Sequence, residues 1–175
     1  MPPVEVTRTY LELVDPSQLR PMRLADADAR FVKRGPCSVE RYRALYRDVG
    51  APWQWRDRLV WSDAELSGYL SRPEIVIWEL EVAGESAGYF ELRRQDDGAV
   101  EIVYFGLVPR FIGRGLGGAM LTRAVTEAWE LGASRVWLHT CTLDSPRALP
   151  NYRARGFREF RSETYVTDVA PATEA

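Results

Sequence analysis

The chain has 175 residues, of which 46% are hydrophobic and 27% charged, and its formal net charge is −2. That length predicts one domain with a proper core, and the near-neutral balance offers no overall basic field for nucleic acid. No apolar run reaches the roughly 18 residues of a membrane span, and two cysteines, Cys37 and Cys141, are too few for a disulfide framework, which points to a reducing cytoplasm.

Val4 to Val14 alternates as a first strand, and Asp15-Pro16-Ser17 stops it. The opening Met1-Pro-Pro-Val-Glu5 lacks a basic stretch followed by an apolar one, so no secretory leader is expected. From there to Arg72 the pattern is helical and irregular. Ser38 to Val49 reads as a helix ended by Gly50 and Pro52, and Ser62 or Asp63 caps another reaching about Ser71. Between them, Trp53-Gln-Trp55-Arg-Asp-Arg-Leu-Val-Trp61 is unusually aromatic. Three strands follow, Glu74–Val82, Ala87–Arg94 and Ala99–Val108, with a hairpin signal at Asp97-Gly98 and a stop at Pro109. Gly106 predicts a bulge or the close approach of another backbone. Met120, Leu121, Ala124, Val125, Ala128, Trp129 and Leu131 recur at helical spacing, and Gly132 ends that helix. Arg135 to Thr140 is a short buried-type strand, Ser145 to about Arg155 a helix, and Gly156 to Thr167 a closing hairpin. The domain is placed at residues 1–169, with Ala170 to Ala175 as a loose tail.

Gly113, Gly115, Gly117 and Gly118 stand between the third of those strands and its helix. A strand, a glycine-rich turn and a helix in that order make an anion site. The first helical N–H groups lack internal partners, the dipole favours negative charge, and glycine leaves no Cβ in the way. Gly113, Gly115 and Gly118 satisfy G-x-G-x-x-G, yet Pro109 to Ile112 separate them from the strand. No acid stands about 20 residues further on for a ribose, and too little chain remains for two nucleotide-binding halves. The P-loop fails as well, because Ala119 and Met120 occupy the positions of its Lys and Ser or Thr.

Leu107-Val108-Pro109 followed by Ile112-Gly-Arg-Gly-Leu-Gly resembles the coenzyme A loop of the GNAT superfamily of N-acetyltransferases, roughly V-x-P-x-x-[QR]-G-x-G-x-[GA]. Asn151-Tyr-Arg-Ala-Arg-Gly-Phe157 resembles the family's later Y-x-x-x-G-F segment. With the elements joining them, the two cover Ile75 to Phe160. The resemblance implies an α/β domain with a mixed, mostly antiparallel sheet of about seven strands, a splayed central strand pair, and about four flanking helices. It also implies acetyl-coenzyme A as donor, held by the backbone N–H groups of Ile112, Gly113, Arg114, Gly115, Leu116, Gly117 and Gly118. The backbone of Leu107 and Val108 would pair with the pantetheine arm, and Gly106 would splay the sheet to admit it. Ile112 departs from the family's Gln or Arg, which removes a side-chain contact but not the amide cradle. Arg110 and Arg114 are placed to restore some of that charge, or else are simply solvated.

By the same resemblance Tyr152 protonates the departing thiolate, a role that suits a phenol, which keeps its proton at neutral pH. Ser145 stands where the family commonly has an Asn on the pantetheine, and it also reads as a helix cap ahead of Pro146. Pro150 removes a backbone donor just inside that helix and is expected to kink it, disturbing the aim of Tyr152. Glu101 occupies the strand position of a catalytic glutamate in several members, and equally that of a carboxylate paired with an arginine. His139, the single histidine, reads as structural or site-lining. A Cys141–His139 nucleophile pair is not expected, on the ground that neighbours in one strand face opposite ways. One histidine and two scattered cysteines build no zinc site.

Direct transfer of acetyl to the primary amine of a small molecule, in a ternary complex without a covalent intermediate, is the activity these features imply. Two rivals stay open: a protein N-terminal or lysine acetyltransferase, favoured by an open groove, and a non-catalytic coenzyme A-binding module in which Tyr152 is incidental. A homodimer is common in the resembling family. Lys33 is the only lysine among 23 basic residues, the bias of a GC-rich bacterial genome. Between Arg20 and Arg58 ten basic residues face five acids, a charge of +5 in a chain of −2. The family places its acceptor here. Arginines beside Trp53, Trp55 and Tyr42 would clamp an anionic group, which predicts an amine such as an amino acid over a polycation such as spermidine. Solvated arginines on helix faces would account for the same count.

Overall fold

The computed structural model describes residues 2–169, so the segment read as a tail lies outside the described residues. In chain order they form β1 (Val4–Leu13), β2 (Ala29–Arg34), α1 (Val39–Gly50), α2 (Asp63–Leu70), β3 (Ile75–Val82), β4 (Glu85–Arg94), β5 (Val100–Leu107), α3 (Leu116–Glu130), β6 (Val136–Cys141), α4 (Ala148–Ala154) and β7 (Arg158–Thr167). All seven strands join one sheet in the order β2-β3-β4-β5-β6-β1-β7. Every neighbouring pair is antiparallel except β5–β6, which is parallel. The α/β architecture and the mixed sheet are those implied by the sequence.

The helices start where their caps put them. Ser38 Oγ accepts from the Arg41 N–H at 3.1 Å to open α1. At α2, Ser62 Oγ accepts from the Glu65 N–H at 3.2 Å, and Glu65 accepts from the Ser62 N–H at 2.7 Å, a reciprocal box. Each sheet face buries its own core. Leu80, Phe90, Leu92, Val100 and Ile102 pack with Met120, Leu121 and Ala124 of α3 on one side. Ile75, Ile77 and Tyr89 pack with Tyr42, Leu45, Tyr46 and Val49 of α1 and Leu66 of α2 on the other.

Two expected elements are corrected. Residues 16–72 contain β2, an edge strand, where only helix and irregular chain were expected. Its exposed positions are Arg30 and Lys33; Arg30 bonds Glu81 across the strand pair, and the half-buried Arg34 bonds Glu79 and Glu81. Ion pairs of this kind stabilise the ladder while stripping the strand of its β-branched signature. The closing hairpin is a single long strand, β7, whose partner is β1, from Val4↔Thr167 to Glu12↔Arg158. A pairing between the two ends of the chain leaves no local trace in the sequence.

Gly106 does mark a close approach, but by side chains of the other layer. A Cβ there would lie 2.5 Å from Val49 Cγ1 of α1 and 3.6 Å from the Trp55 indole. Valine in a helix is confined to one rotamer and yields poorly. Gly106→Ala is therefore expected to lower stability by about 1–3 kcal/mol, measured as a lower urea midpoint at unchanged slope; a midpoint equal to the parent's would show that α1 moves freely.

Candidate active site

β5 and β6 pair over only two positions, Val100↔Val136 and Glu101↔Trp137, and then diverge. The wedge between them opens into a cavity of about 1030 Å³ that runs from the glycine loop, past Phe105 and Tyr152, to Trp53, Glu101 and His139. On the β4 side the last bonds of β5 are filled. The Val108 N–H donates to the Ala87 carbonyl at 2.8 Å, and the Val108 carbonyl accepts from the Phe111 N–H at 2.9 Å. An antiparallel ladder alternates, so Leu107, opposite Gly88, turns its own N–H and carbonyl toward the wedge, as Phe105 does two residues earlier. Of the two residues expected to pair with an extended ligand, Leu107 has its backbone free for it. Val108 does not, and it is absent from the cavity wall.

Gly113 and Gly115 take positive φ, 84° and 75°, to turn the chain into α3. Gly115 is the N-cap of α3 and supplies no side-chain cap, so the first helical N–H groups are left for whatever enters the cavity. Ile112 and Leu116 also line it, but the Ile112 N–H donates to the Pro109 carbonyl at 3.1 Å, so it does not join the expected amide cradle; Arg114 turns away, 3.7 Å from Asp26. Arg110 pairs with Glu85 at 2.8 Å, so neither arginine replaces the missing charge at Ile112. A cation that the sequence reading missed does stand at the loop, Arg147. Its guanidinium lies 3.6–3.8 Å from where a Gly113 Cβ would be, and it lines the cavity. Asn151, one helical turn on, lies against Gly117. Their i, i+4 spacing was legible once α4 was known to begin at Ala148.

That start also removes the difficulty at Pro150. Ser145 to Arg147 form a turn in which Ser145 Oγ accepts from the Arg147 N–H at 3.3 Å, and the first helical bond runs from the Asn151 N–H to the Arg147 carbonyl at 3.1 Å. Pro150 thus falls in the first turn of α4, where no N–H has an internal partner, and costs no bond. Ser145 lines the cavity and caps locally, three residues ahead of the helix.

Tyr152 follows on α4, 6% exposed, with its ring edge-on to Phe105 and Phe157 at 6.0 and 6.1 Å. Burial, and secondarily the Asp144 carboxylate, push its phenol well above the ordinary tyrosine pKa, so it stays a proton donor. Across the wedge Glu101 is buried and bonded to Arg93 at 2.6 Å. Burial raises its pKa above the usual glutamate value, while Arg93 opposes the rise. His139 and Cys141 both face this cavity. They are two apart in β6 and so share a face, correcting the expectation that they point apart. A nucleophile pair is disfavoured for another reason: burial raises the Cys141 thiol, and desolvation with Arg8 lowers His139, which leaves both neutral.

Trp53 and Trp55 stand in the wall of the opposite end. Trp55 also packs against Tyr46 and Tyr104, with centroids at 5.6 and 4.8 Å, and presses on Gly50. Tyr42 is fully buried behind that wall, its hydroxyl donating to Glu91 at 2.6 Å, so it props the wall and meets no ligand. Half of the ten cations of residues 20–58 are paired with four carboxylates outside the segment. Arg30, Arg34 and Arg41 pair with Glu79 and Glu81, Arg43 with Asp63, and Arg58 with Glu91. Segment charge therefore says little about the acceptor. Among the described residues no group of three or more His, Cys, Asp or Glu is placed to hold a metal ion, and no helix is long and apolar enough to cross a membrane.

Residues 40–157 match the family model described as the acetyltransferase (GNAT) family. Uncharacterised N-acetyltransferases of Mycobacterium bovis and Mycobacterium tuberculosis are 32% identical over 104 residues, 59% of this chain and 66% of theirs. The chain thus spans just under two thirds of these curated relatives. Among solved structures, a GCN5-related N-acetyltransferase from Kribbella flavida superposes with a TM-score of 0.67 at 18% identity, covering 95% of this chain and 60% of that one. One from Sphaerobacter thermophilus gives 0.69 at 16%, covering 99% and 55%. An aminoglycoside acetyltransferase from an uncultured soil metagenomic sample gives 0.63 at 14%, covering 75% and 90%; at these identities the likeness is one of fold.

Proposed function

The chain belongs to the GNAT acetyltransferase family, and from that premise we propose that it moves the acetyl group of acetyl-coenzyme A to a primary amine of a small molecule, directly within a ternary complex. The observation that carries the reading is the uncapped N-terminus of α3, which opens with Leu107 and Tyr152 on one cavity. A pyrophosphate matches what the loop offers: a row of unpartnered amides, the positive end of a helix, and Arg147 beside Gly113. Acetyl-coenzyme A would supply the acetyl group as an activated thioester.

The chain's own residues hold and move protons. The outward backbone of Phe105 and Leu107 aligns an extended ligand as an added strand would. Glu101, its carboxyl raised by burial, accepts a proton from the acceptor ammonium so that a neutral amine can attack. Tyr152 holds a proton for the departing sulfur. Trp53 and Trp55 in the cavity wall offer flat apolar faces on which a small acceptor can rest.

The test is a panel of primary amines with acetyl-coenzyme A, scored by release of free thiol. Release with small amines, and little with peptides bearing a free N-terminus or lysine, is expected. Coenzyme A binding without thiol release from any amine would leave only a binding module.

A further inference from the structure

We infer that the acceptor amine also carries a carboxylate and that Arg58 receives it; this deepens the acetyl-transfer reading above and rests on it. Arg58 is the fixed cation of the acceptor end. Its side chain is 9% exposed, yet it lines the cavity. The guanidinium lies 4.2 Å from the ring centroids of both Trp61 and Tyr69 and 5.3 Å from that of Tyr104. Nη2 donates to Glu91 at 2.9 Å and to the Tyr69 hydroxyl at 3.0 Å. Nε is sealed from solvent with no partner. Nη1 is then the edge that Arg58 shows to the cavity.

Glu91 is wholly buried and also accepts from the Tyr42 and Tyr69 hydroxyls, at 2.6 and 2.5 Å. A carboxylate so satisfied locks the arginine without reaching the cavity itself. The result is a planar donor held by stacking and hydrogen bonds before any ligand arrives, an arrangement suited to carboxylates because no side-chain entropy remains to be lost on binding. Arg56, in the same wall, bonds Gln54 at 2.7 Å and is exposed, so it lacks this fixing.

The opposite sign is present too. Asp57 lines the cavity within 3.5 Å of the Tyr104 hydroxyl, and Glu101 lies against Arg93. Cation and anion side by side suit a molecule that carries both charges, with its ammonium toward Glu101 and its carboxylate toward Arg58. A polycation would find Asp57 and Glu101 for two of its ammonium groups, yet it brings further positive charge against Arg58, Arg93 and Arg56 and leaves the donor edge of Arg58 unmatched.

The experiment compares L-amino acids with their carboxamides, and with spermidine, as acceptors for wild type, Arg58→Lys, and Arg58→Met paired with Glu91→Gln. The lysine variant keeps a charge for Glu91, and the double variant leaves no buried charge unpaired, so neither exposes the fold to a lone buried carboxylate. The wild type is expected to prefer some amino acid over its carboxamide by about 10–100-fold in kcat/KM, the loss expected of one charged hydrogen bond. Both variants should collapse that ratio through the acceptor KM while coenzyme A affinity holds. Carboxamides or spermidine equal to or better than the amino acids, or a preference that survives both variants, overturns the inference and leaves acetyl transfer standing. Absence of thiol release from every amine, in protein that binds coenzyme A, overturns the proposed function itself and this inference with it.

Discussion

Gly117→Val is expected to abolish coenzyme A binding while the fold persists. The glycines of the loop do different work, and Gly117 isolates one part of it. Gly113 and Gly115 hold positive φ, so a side chain there strains the backbone as well as blocking the site. A Cβ on Gly118 would lie 2.5 Å from Met22 Sδ and 3.1 Å from Arg155 Nη1, so that glycine serves packing. At Gly117 a Cβ would meet Asn151 Nδ2 at 3.6 Å and Leu107 Cδ1 at 3.8 Å, ordinary contacts that the protein tolerates. Valine also has a better helix propensity than glycine, so the first turn of α3 does not suffer. What valine removes is open space above the uncapped amides. Calorimetric titration with coenzyme A should show no binding by a variant whose circular dichroism and melting match the parent. Near-parental affinity in that folded variant would mean that no phosphate lies against α3, and the proposed function would lose its basis.

The loop was legible because its chemistry is local. A strand, a stop at Pro109, glycines and an amphipathic helix are successive residues, and the proposal of an anion site needs only that backbone order. The central strands β3, β4 and β5 were legible for a similar reason, since their hairpins are short and their faces apolar. The rest depended on residues far apart in sequence. β2 hides its strand character behind Arg30 and Arg34, whose partners Glu79 and Glu81 lie on β3. β1 and β7 find each other across the whole chain. Tyr42 looks like any aromatic near Trp53 until Glu91, on β4, is seen to bury its hydroxyl. The arginine excess of residues 20–58 suggested an anionic acceptor by count, yet half of its ten cations are tied up in structural ion pairs. Arg58 alone combines near-complete burial with a place in the wall, and only a three-dimensional view distinguishes it from its neighbours.

Tyr152→Phe is expected to lower kcat by about 10²–10³-fold with coenzyme A affinity unchanged. The phenyl ring keeps the edge-on packing with Phe105 and Phe157, so α4 and the cavity survive and only the hydroxyl is lost. That hydroxyl is a donor without a rival acceptor: the influences on it are burial and the charge of Asp144, with no hydrogen bond to hold it elsewhere. Burial makes it a weaker acid than a free tyrosine, and a free thiol titrates near 8.5. Complete proton transfer to the sulfur is thus uphill, and most of the benefit comes from a hydrogen bond that strengthens as negative charge develops. Such a donor contributes at the level of one oxyanion-hole hydrogen bond, which sets the expected range below the upper limit for general acids. Single-turnover thiol release with a competent amine separates this step from binding. A rate within a few-fold of wild type would show that water or another group delivers the proton, and Tyr152 would then be only part of the wall that Phe105 and Phe157 complete.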